Sequence, residues 1–349
     1  MMTEGTQFQP ATERVTIQDV ARACGMNKST VSRALNMPPD RYPLRAETRK
    51  LILQKADELG YAANWTARAL SARSTKQIGL LFRYSLPEMR GISGDMTQAF
   101  SAELEAAGYH LLFVPLHGDN WLQTLRGNQF DGCVIHDVDL GITLDAVRSI
   151  GLPAVVLNNV VQGNDLPTVV PDDAQGTRLA VEHLIGLGHR KIAYLRMGRG
   201  SEANHFSIAL RRTTYLQAMQ DAGLGEQALA ADEPIGQFLD RVPVGVPGGY
   251  TALVLYSHSE GIAMLRHLHL RGLRCPQDVS LVSFNDVYPM ADLFPAFTTI
   301  SVPGEAIGRA GAQLLLEQLN ATGEPAAKQI VLPETIVVRE STAPLGGNR

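Results

Sequence analysis

Residues 16–36, "TIQDVARACGMNKSTVSRALN", predict two short helices joined by a glycine turn. Thr16 and Asp19 have the spacing of a capping box, with Asp in place of Glu. Apolar residues recur at helical spacing as far as Gly25, which suits the left-handed backbone that follows a helix end. Asn27 can cap a second helix. Two short helices joined in this way form a helix-turn-helix.

The second helix has an outward face of small polar and cationic side chains, namely Lys28, Ser29, Ser32 and Arg33. Such side chains suit base edges and phosphates in the major groove of DNA. An ordinary helical hairpin with a solvated face has the same pattern, so the pair alone does not decide between them. A third helix is predicted from about Arg45 to Leu59, and three helices in about sixty residues are typical of a minimal DNA-binding head.

The stretch at 16–36, followed by "TRKLILQKADELGYAANWTARALSA" at 48–72, resembles the head of the LacI/GalR family of bacterial transcriptional repressors. The resemblance implies that the start of the second helix and its arginine read bases, while hydroxyl and amide side chains hold phosphates. Two features depart from the family pattern. The loop after Asn36 is about three residues longer, and Arg45 stands where Ser or Thr commonly caps the third helix. The DNA-binding residues implied for the head are Thr16, Lys28, Ser29, Thr30, Ser32, Arg33, Asn36 and Thr48.

The segment "NWTARALSARSTKQIG" at 64–79 joins the head to the rest of the chain. A helix can start here, but an isolated helix shorter than about 12–15 residues is not stable in water. The family resemblance implies that this hinge helix folds on DNA, pairs with its twin and inserts a leucine into the minor groove as a wedge. A linker helix whose Leu70 packs on the following domain is the alternative. The residues implied for DNA contact are Asn64, Ala67, Arg68 and Leu70.

From Lys76 onward, short apolar runs alternate with helical patterns, which predicts βαβ units and parallel sheets. For example, "QIGLLF" (77–82) has the pattern of a strand and "AQGTRLAVEHLIGLG" (174–188) that of a helix. About ten such units exceed one sheet, so two similar subdomains with a cleft between them are expected. The stretches at 172–195 and 275–303 again resemble the LacI/GalR family, which implies the fold of periplasmic sugar-binding proteins with three crossings between the subdomains.

The predicted architecture is an N-terminal all-α helix-turn-helix head followed by an α/β body of two parallel-sheet subdomains. The predicted domains are a flexible N-terminus (1–13), the helix-turn-helix DNA-binding domain (14–62), a hinge helix and linker (63–76), and an effector-binding and dimerisation core (77–349). Within the core, the predicted subdomains are about 77–163 with 295–324, and about 164–291 with 328–342. The crossings are predicted at about 160–168, 290–297 and 322–330.

Ligands in such folds bind beyond the carboxyl ends of the strands, in the cleft. Arg211 opens the helix "RRTTYLQAM", where the family places an effector-binding arginine, although Arg212 leaves the register open and a solvated helix residue is the alternative. The family often has an Asn-Asp pair in place of Ser257-His258, and Asp in place of Asn285. The lack of an anion at position 285 would favour a ligand with a carboxylate. The effector-binding residues implied are Tyr84, Ser85, Asp137, Arg211, Ser257 and Asn285.

Charge is distributed unevenly along the chain. Residues 1–76 contain twelve Lys or Arg and seven Asp or Glu, a net charge of +5, whereas the whole chain has a net charge of −4. The rest of the chain is therefore −9, which predicts that only the head meets a polyanion. A pseudo-palindromic operator needs two heads, so a homodimer is expected. The end of the chain has no leucine heptad, which favours a dimer over a tetramer.

Other protein classes fit the sequence less well. The "GRGSE" at 198–202 lacks the third glycine and the acidic residue of a dinucleotide site, and no HExxH, nucleophile-elbow or P-loop pattern occurs, so no enzyme and no cofactor is expected. The three cysteines have no metal-ligand spacing, which predicts free thiols and no metal. A solute-binding protein of the periplasmic-binding fold is the main alternative. The polar start "MMTEGTQFQPATER" and the absence of about 20 consecutive apolar residues argue instead for a cytoplasmic protein without a membrane span.

These patterns predict a sequence-specific transcriptional regulator of the repressor type. Its affinity for the operator would be controlled by a small molecule, sugar-like or sugar-acid-like, bound between the two subdomains. Ligand binding would rearrange the subdomains and separate the hinge helices. An inducer that weakens DNA binding and a corepressor that tightens it are equally allowed by linkage.

Overall fold

The computed structural model describes residues 15–37, 39, 42–61, 74–82, 91–116, 120–127, 129–136, 140–160, 166–198, 205–321 and 328–346. The chain forms two compact units, which are called the head (Met1–Thr75) and the body (Lys76–Arg349) below. The division between them lies within the predicted linker. Each unit has its own hydrophobic core.

The head contains the helices α1 (Ile17–Cys24), α2 (Lys28–Asn36) and α3 (Ala46–Glu58). Their apolar faces meet in a small core whose buried members are Val20, Ala21, Val31, Ala34, Ile52 and Ala56. Each helix thus contributes two buried residues, which are adjacent in α1 and three or four positions apart in α2 and α3. Leu51 and Leu53 flank Ile52 but are 40% and 51% exposed, because consecutive residues of a helix point about 100° apart.

The first sheet of the body contains the strands β1 (Gln77–Phe82), β2 (His110–Pro115), β3 (Gly132–His136), β4 (Ala154–Leu157), β5 (Thr168–Pro171) and β11 (Gln329–Leu332). Their order is β11-β5-β4-β3-β1-β2, and every pair is parallel. Strands β3, β4 and β5 are buried along their whole length. Burial on both faces explains why these strands are continuous apolar runs rather than alternating patterns.

The second sheet contains the strands β6 (Ile192–Arg196), β7 (Leu229–Asp232), β8 (Ala252–Leu255), β9 (Ser280–Phe284), β10 (Thr298–Ser301) and β12 (Thr335–Val337). Their order is β12-β10-β9-β8-β6-β7. Only β12, at one edge, is antiparallel to its neighbour. The expectation of two subdomains built on parallel sheets is therefore confirmed, with one antiparallel edge strand added.

Helices pack against both sheets. Those of the first subdomain are α4 (Ile92–Ala106), α5 (Asn120–Arg126), α6 (Leu140–Ile150) and α11 (Gly304–Asn320). Those of the second subdomain are α7 (Asp173–Gly186), α8 (Phe206–Asp221), α9 (Ile235–Arg241) and α10 (His258–Leu270). A short 3-10 helix lies at Gly225–Gln227. Helices thus connect most of the parallel strands, but the segment 285–297 between β9 and β10 contains none.

The chain crosses between the subdomains three times. The first crossing is at Asp172, between β5 of the first sheet and α7 beside the second. The second lies at 302–303, between β10 and α11, and the third at 333–334, between β11 and β12. All three are later in the chain than the predicted positions near 160–168, 290–297 and 322–330.

The reason for this difference is three short strands that the sequence patterns did not single out. Strands β5 and β11 belong to the first sheet, whereas the predicted ranges 164–291 and 328–342 assigned them to the second subdomain. Strand β10 belongs to the second sheet, whereas the predicted range 295–324 assigned it to the first. Each of these strands mixes apolar residues with polar ones or proline (TVVP, TTIS and QIVL), so its pattern does not distinguish it from a crossing segment.

Helix α11 was also not predicted, although it packs closely on α4. Three glycines, Gly304, Gly308 and Gly311, lower its intrinsic helix propensity. Gly304 and Gly308 allow a close approach of the two helices, because a Cβ atom added at Gly308 would lie 2.2 Å from the carbonyl oxygen of Met96. Packing of the helix on the first subdomain therefore outweighs its weak propensity.

Candidate DNA-binding and effector-binding sites

The caps that orient α1 and α2 form as the sequence predicts. The backbone N–H of Thr16 donates to Oδ2 of Asp19 at 2.9 Å, and its hydroxyl donates to the same oxygen at 2.7 Å. Gly25 follows α1 in the left-handed conformation, with φ of 65°. Oδ1 of Asn27 accepts the N–H of Thr30 at 2.7 Å. These caps satisfy helix-end donors and fix the angle at which α2 leaves the turn.

The face of α2 that points away from the head core carries the predicted base-reading residues. Lys28, Ser29 and Arg33 are exposed there. The hydroxyl of Ser29 donates to Oδ1 of Asn27 at 2.7 Å, so it also supports the cap. Thr16 is exposed at the start of α1, and the remaining predicted head residues, Thr30, Ser32, Asn36 and Thr48, are half-buried. The helix thus presents one cation at each end of its exposed face.

The guanidinium of Arg33 lies 5.5 Å from the centroid of the Tyr42 ring. Tyr42 belongs to the loop between α2 and α3. When a planar guanidinium stacks on an aromatic ring, its N–H groups point outward in the guanidinium plane. There they can donate hydrogen bonds to the edge of a base. The loop between α2 and α3 therefore supports the exposed arginine of α2.

Arg49 on α3 is a structural residue of the head that the sequence patterns did not reveal. Its Nη1 donates to the carbonyl oxygens of Ala34 at 2.7 Å and Met37 at 2.9 Å, and its Nη2 donates to that of Tyr42 at 2.8 Å. One side chain thus ties the end of α2 to the loop after it. An arginine or lysine on a helix is usually solvated, so nothing in the sequence around Arg49 indicates that it bonds these carbonyl groups.

Several predicted site residues lie outside the described residues. In the linker these are Asn64, Ala67, Arg68 and Leu70, and in the body they are Tyr84, Ser85 and Asp137. Their roles stay predictions.

Arg211 lies on α8 with 5% of its surface exposed, while its neighbour Arg212 is exposed. This resolves the register of "RRTTYLQAM", since only the first arginine points inward. Nε of Arg211 donates to Oδ1 of Asp173 at 2.5 Å, and Nη1 donates to the carbonyl oxygen of Tyr256 at 2.7 Å. The guanidinium carbon is 3.8 Å from the centroid of the Phe284 ring. Arg211 therefore lies at the carboxyl ends of β8 and β9, where ligands bind in this class of fold.

Two buried carboxylates accompany this arginine. Asp173 is fully buried at the start of α7, and Glu334, in the third crossing, is 1% exposed. Burial and the charge of Asp173 raise the pKa of Glu334 well above its ordinary value. The charge of Asp173 raises the pKa of Arg211 despite the opposing effect of burial. No sequence pattern associates Glu334 with Arg211, because 123 positions separate them.

Ser257 and Asn285 lie after β8 and β9. The hydroxyl of Ser257 donates to the carboxylate of Glu260 and accepts the N–H of Ser259 at 3.3 Å, so this residue caps α10. Nδ2 of Asn285 is 3.4 Å from Nδ1 of His258, and burial lowers the pKa of that histidine. The structure thus brings Asn285 and His258 together at the same end of the second sheet as Arg211.

One hydrogen bond joins the two subdomains near this site. Nε2 of His205 is 2.6 Å from the carbonyl oxygen of Asn158, which follows β4 of the first sheet. Nδ1 of His205 is 2.7 Å from the hydroxyl of Ser207, which in turn is 2.9 Å from the hydroxyl of Tyr256. A chain of polar contacts therefore leads from the first subdomain to the residue whose carbonyl binds Arg211. His205 was not among the predicted site residues.

Among the residues that the structure describes, no group of three or more His, Cys, Asp or Glu could hold a metal ion. Cys24, Cys133 and Cys275 are each free thiols. No helix within the described ranges is both long and apolar enough to cross a bilayer.

Comparison with known proteins gives matches along the whole chain. Residues 16–64 match the sequence model of bacterial regulatory proteins of the lacI family, and residues 181–342 match that of the periplasmic binding protein-like domain. The chain is 26% identical to the HTH-type transcriptional regulator DegA of Bacillus subtilis over 352 residues, which cover 95% of this chain and 99% of DegA.

Two solved structures share its fold. The lac repressor dimer bound to operator and the anti-inducer ONPF has a TM-score of 0.79 at 23% identity, covering 95% of this chain and all of the repressor chain. The complex of the transcriptional regulator CelR with cellobiose has a TM-score of 0.67 at 23% identity, covering 94% of this chain and all of the CelR chain. The order of helical head and two-sheet body is thus the same in all three proteins.

Proposed function

Since the chain belongs to the LacI family of bacterial regulatory proteins, we propose that it represses transcription as a homodimer on a pseudo-palindromic operator, under the control of a small molecule bound in its body. Its relatives are transcriptional regulators rather than enzymes. A protein that acts on chromosomal DNA works in the cytoplasm, so this is the proposed location. No cofactor is needed for this function.

The exposed face of α2 is the observation that carries the DNA-binding role. Its other face is fixed in the head core by Val31 and Ala34, so the exposed residues move with the helix as one surface. Arg33 can bond guanine bidentately, while Lys28 and Ser29 at the start of α2 can reach neighbouring base edges. The hydroxyl and amide groups of the other predicted head residues suit phosphates, which position the head without reading sequence.

The linker completes this proposal. Asn64, Ala67, Arg68 and Leu70 would form the hinge helix of each protomer, with Leu70 as the minor-groove wedge. Two such helices in a dimer would join the two heads at the spacing of one operator. The heads alone carry net positive charge, so the acidic bodies stay clear of the phosphates.

The proposed ligand lies between the subdomains and is sugar-like or sugar-acid-like. Arg211 supplies a cation and Asn285 both a donor and an acceptor, and Tyr84, Ser85, Asp137 and Ser257 are the other proposed contacts. The CelR complex contains cellobiose, which supports a sugar-like ligand. Asn285, where the family often has Asp, supports a ligand with a carboxylate. Such a carboxylate would compete with Asp173 for Arg211.

A fluorescence-anisotropy titration tests the DNA-binding role. The labelled DNA is the promoter fragment of the protein's own gene, and a scrambled fragment of equal length is the control. We expect specific binding that exceeds non-specific binding by about 10³-fold or more at physiological salt. Equal affinity for both fragments would refute sequence-specific recognition.

The same titration in the presence of sugars, sugar acids and nucleosides tests the effector. We expect one compound class to change operator affinity several-fold. The variant Asn285→Asp restores the carboxylate that the family often has and should weaken the response to an anionic ligand more than to a neutral sugar. An unchanged preference between sugar and sugar acid would show that position 285 does not select the ligand.

A further inference from the structure

The set of charges around Arg211 is unbalanced. Asp173, Arg211 and Glu334 are exposed by 0%, 5% and 1%, respectively. If both carboxyl groups were ionised, two negative charges would face one positive charge in a site that is almost completely buried. Burial of an uncompensated charge is costly enough that such a group usually takes up a proton instead.

The hydrogen bonds of these two carboxyl groups also show more acceptors than donors. Oδ1 of Asp173 accepts from Arg211, but its Oδ2 and both carboxyl oxygens of Glu334 have no partner within the described residues. Three buried acceptors thus lack a donor. A proton on Glu334 converts one of these acceptors into a donor and neutralises the surplus charge. One proton therefore addresses both the charge and the missing hydrogen bonds.

The two carboxyl groups also occupy special places in the fold. Asp173 directly follows the first crossing, and Glu334 forms half of the third. The crossings run side by side: the N–H of Asp172 donates to the carbonyl oxygen of Leu332 at 2.8 Å, and the N–H of Glu334 donates to Oε1 of Gln175 at 2.9 Å. The carboxyl group of Glu334 lies directly over the first turn of α7, because a Cβ added at Gly176 would be 1.6 Å from its Oε2.

From this arrangement we infer that Asp173 and Glu334 share one proton, and that the resulting acid–carboxylate pair fastens the third crossing to the first. Release of the proton would leave two buried negative charges near a single arginine and push the crossing at 333–334 away from α7. The pair of Asp173 and Glu334, called the lock below, is thus a proton-sensitive link between the first and third crossings. The two subdomains would move about these crossing segments. This inference concerns the body alone and holds independently of what the head binds.

The groups that surround the lock are consistent with a single shared proton. Asp172 and Asp173 face Glu334 from the start of α7, Arg211 faces it from α8, and Tyr194 of β6 lies close to Asp173 and Arg211. Burial raises the pKa of Tyr194, so this phenol is neutral. Arg211 is the one cation among these named groups, and its Nε is already bound to Asp173.

Infrared spectroscopy of the full chain at neutral pH tests the protonation directly. We expect a carbonyl band of a protonated carboxylic acid in the wild type, its absence in Glu334→Gln, and its presence in Glu226→Gln. Glu226 is an exposed glutamate of the second subdomain and controls for the loss of one carboxyl group. No such band in the wild type, or the same band in Glu334→Gln, would overturn the inference.

Unfolding of the body as a function of pH tests the lock itself. Folded protein retains a proton that the unfolded chain releases above the ordinary Glu pKa, so the stability from this proton is lost as pH rises. Relative to Glu334→Gln, the unfolding constant of the wild type should therefore increase by up to tenfold per pH unit above about pH 4.5, until Glu334 ionises in the folded state. Glu226→Gln should run parallel to the wild type. Parallel curves for the wild type and Glu334→Gln would show that Glu334 is ionised and would refute the lock.

Discussion

Arg33 and Arg49 are both cations of the head, yet the structure gives them different tasks. Arg33 is exposed on α2 and stacks on Tyr42. Arg49 on α3 instead donates hydrogen bonds to three carbonyl oxygens at the end of α2 and in the loop that follows it. The role of Arg33 could be predicted because its position in "STVSRALN" has a physical meaning in a helix-turn-helix. The role of Arg49 could not, since its partners are backbone atoms that any sequence supplies. The same holds for Glu334, whose surroundings only the fold creates.

Replacement of Arg33 by Ala should relax specificity at one base position and reduce operator affinity by about 1–3 kcal/mol. Binding to a library of operator variants measures both effects. Arg22→Ala is the matched control, because Arg22 on α1 is an exposed arginine that pairs with Asp19. It removes the same charge and should leave sequence preference intact. If Arg33→Ala changes affinity without changing preference, Arg33 binds phosphate rather than a base.

Replacement of Arg49 by Ala should destabilise the head by about 1.5–3 kcal/mol, because carbonyl groups at the end of α2 lose a charged donor. The unfolding transition of the head, followed by far-UV circular dichroism, measures this effect. Lys50→Ala, at the exposed neighbouring position, should leave the transition unchanged. A head of unaltered stability in Arg49→Ala would mean that water replaces the guanidinium without loss.

The helices and strands show which patterns in a sequence carry information. The three head helices and the strands β1, β6, β8 and β9 could be predicted, because caps and long apolar runs mark them clearly. The strands β5, β10 and β11 and the glycine-rich α11 could not, since tertiary packing rather than local preference decides their structure. This is why the crossings were placed too early. The sequence nevertheless indicated the correct number of crossings through its family resemblance.

The close contact between α4 and α11 predicts that one added methyl group on α11 will destabilise the body. Gly308→Ala should destabilise the body by about 1–3 kcal/mol, because the new Cβ would overlap the backbone of Met96. Gly186→Ala at the end of α7 is the control, since a Cβ there meets no atom within 4 Å. That change should be neutral or slightly stabilising. Calorimetry of both variants measures the difference, and equal melting temperatures would show that α11 can shift to accept the methyl group.

At the scale of the whole molecule, polar groups buried in the body link its stability to pH. His189 is 3% exposed and contacts the hydroxyls of Thr251 and Ser280 at 2.8 and 3.0 Å. Burial lowers its pKa, and it also lowers the pKa of His183. These histidines gain protons when the chain unfolds in mild acid, whereas Glu334 loses one when it unfolds at higher pH. The body therefore has opposing pH dependences built into one subdomain.

The pH dependence of His189 can be isolated with His189→Gln. A lowered pKa means that the stability from the neutral ring is present above about pH 6.5 and is lost as pH falls. The stability difference between the wild type and His189→Gln should therefore shrink below that pH, by up to about 1.4 kcal/mol per pH unit. His269→Gln, which alters an exposed histidine of α10, should show a constant difference. A constant difference for His189→Gln as well would indicate that water reaches the ring.

The order of strands along the chain has a consequence for synthesis. Each sheet receives a strand from the last part of the chain, β11 in the first and β12 in the second. A growing polypeptide on the ribosome therefore cannot complete either half of the body until translation is almost finished, whereas the head, made of local helices, can fold long before. Until then β5 and β10 present open edges to other nascent chains, and such edges promote aggregation. Premature termination near the end of the gene should thus yield aggregates that still carry a folded head.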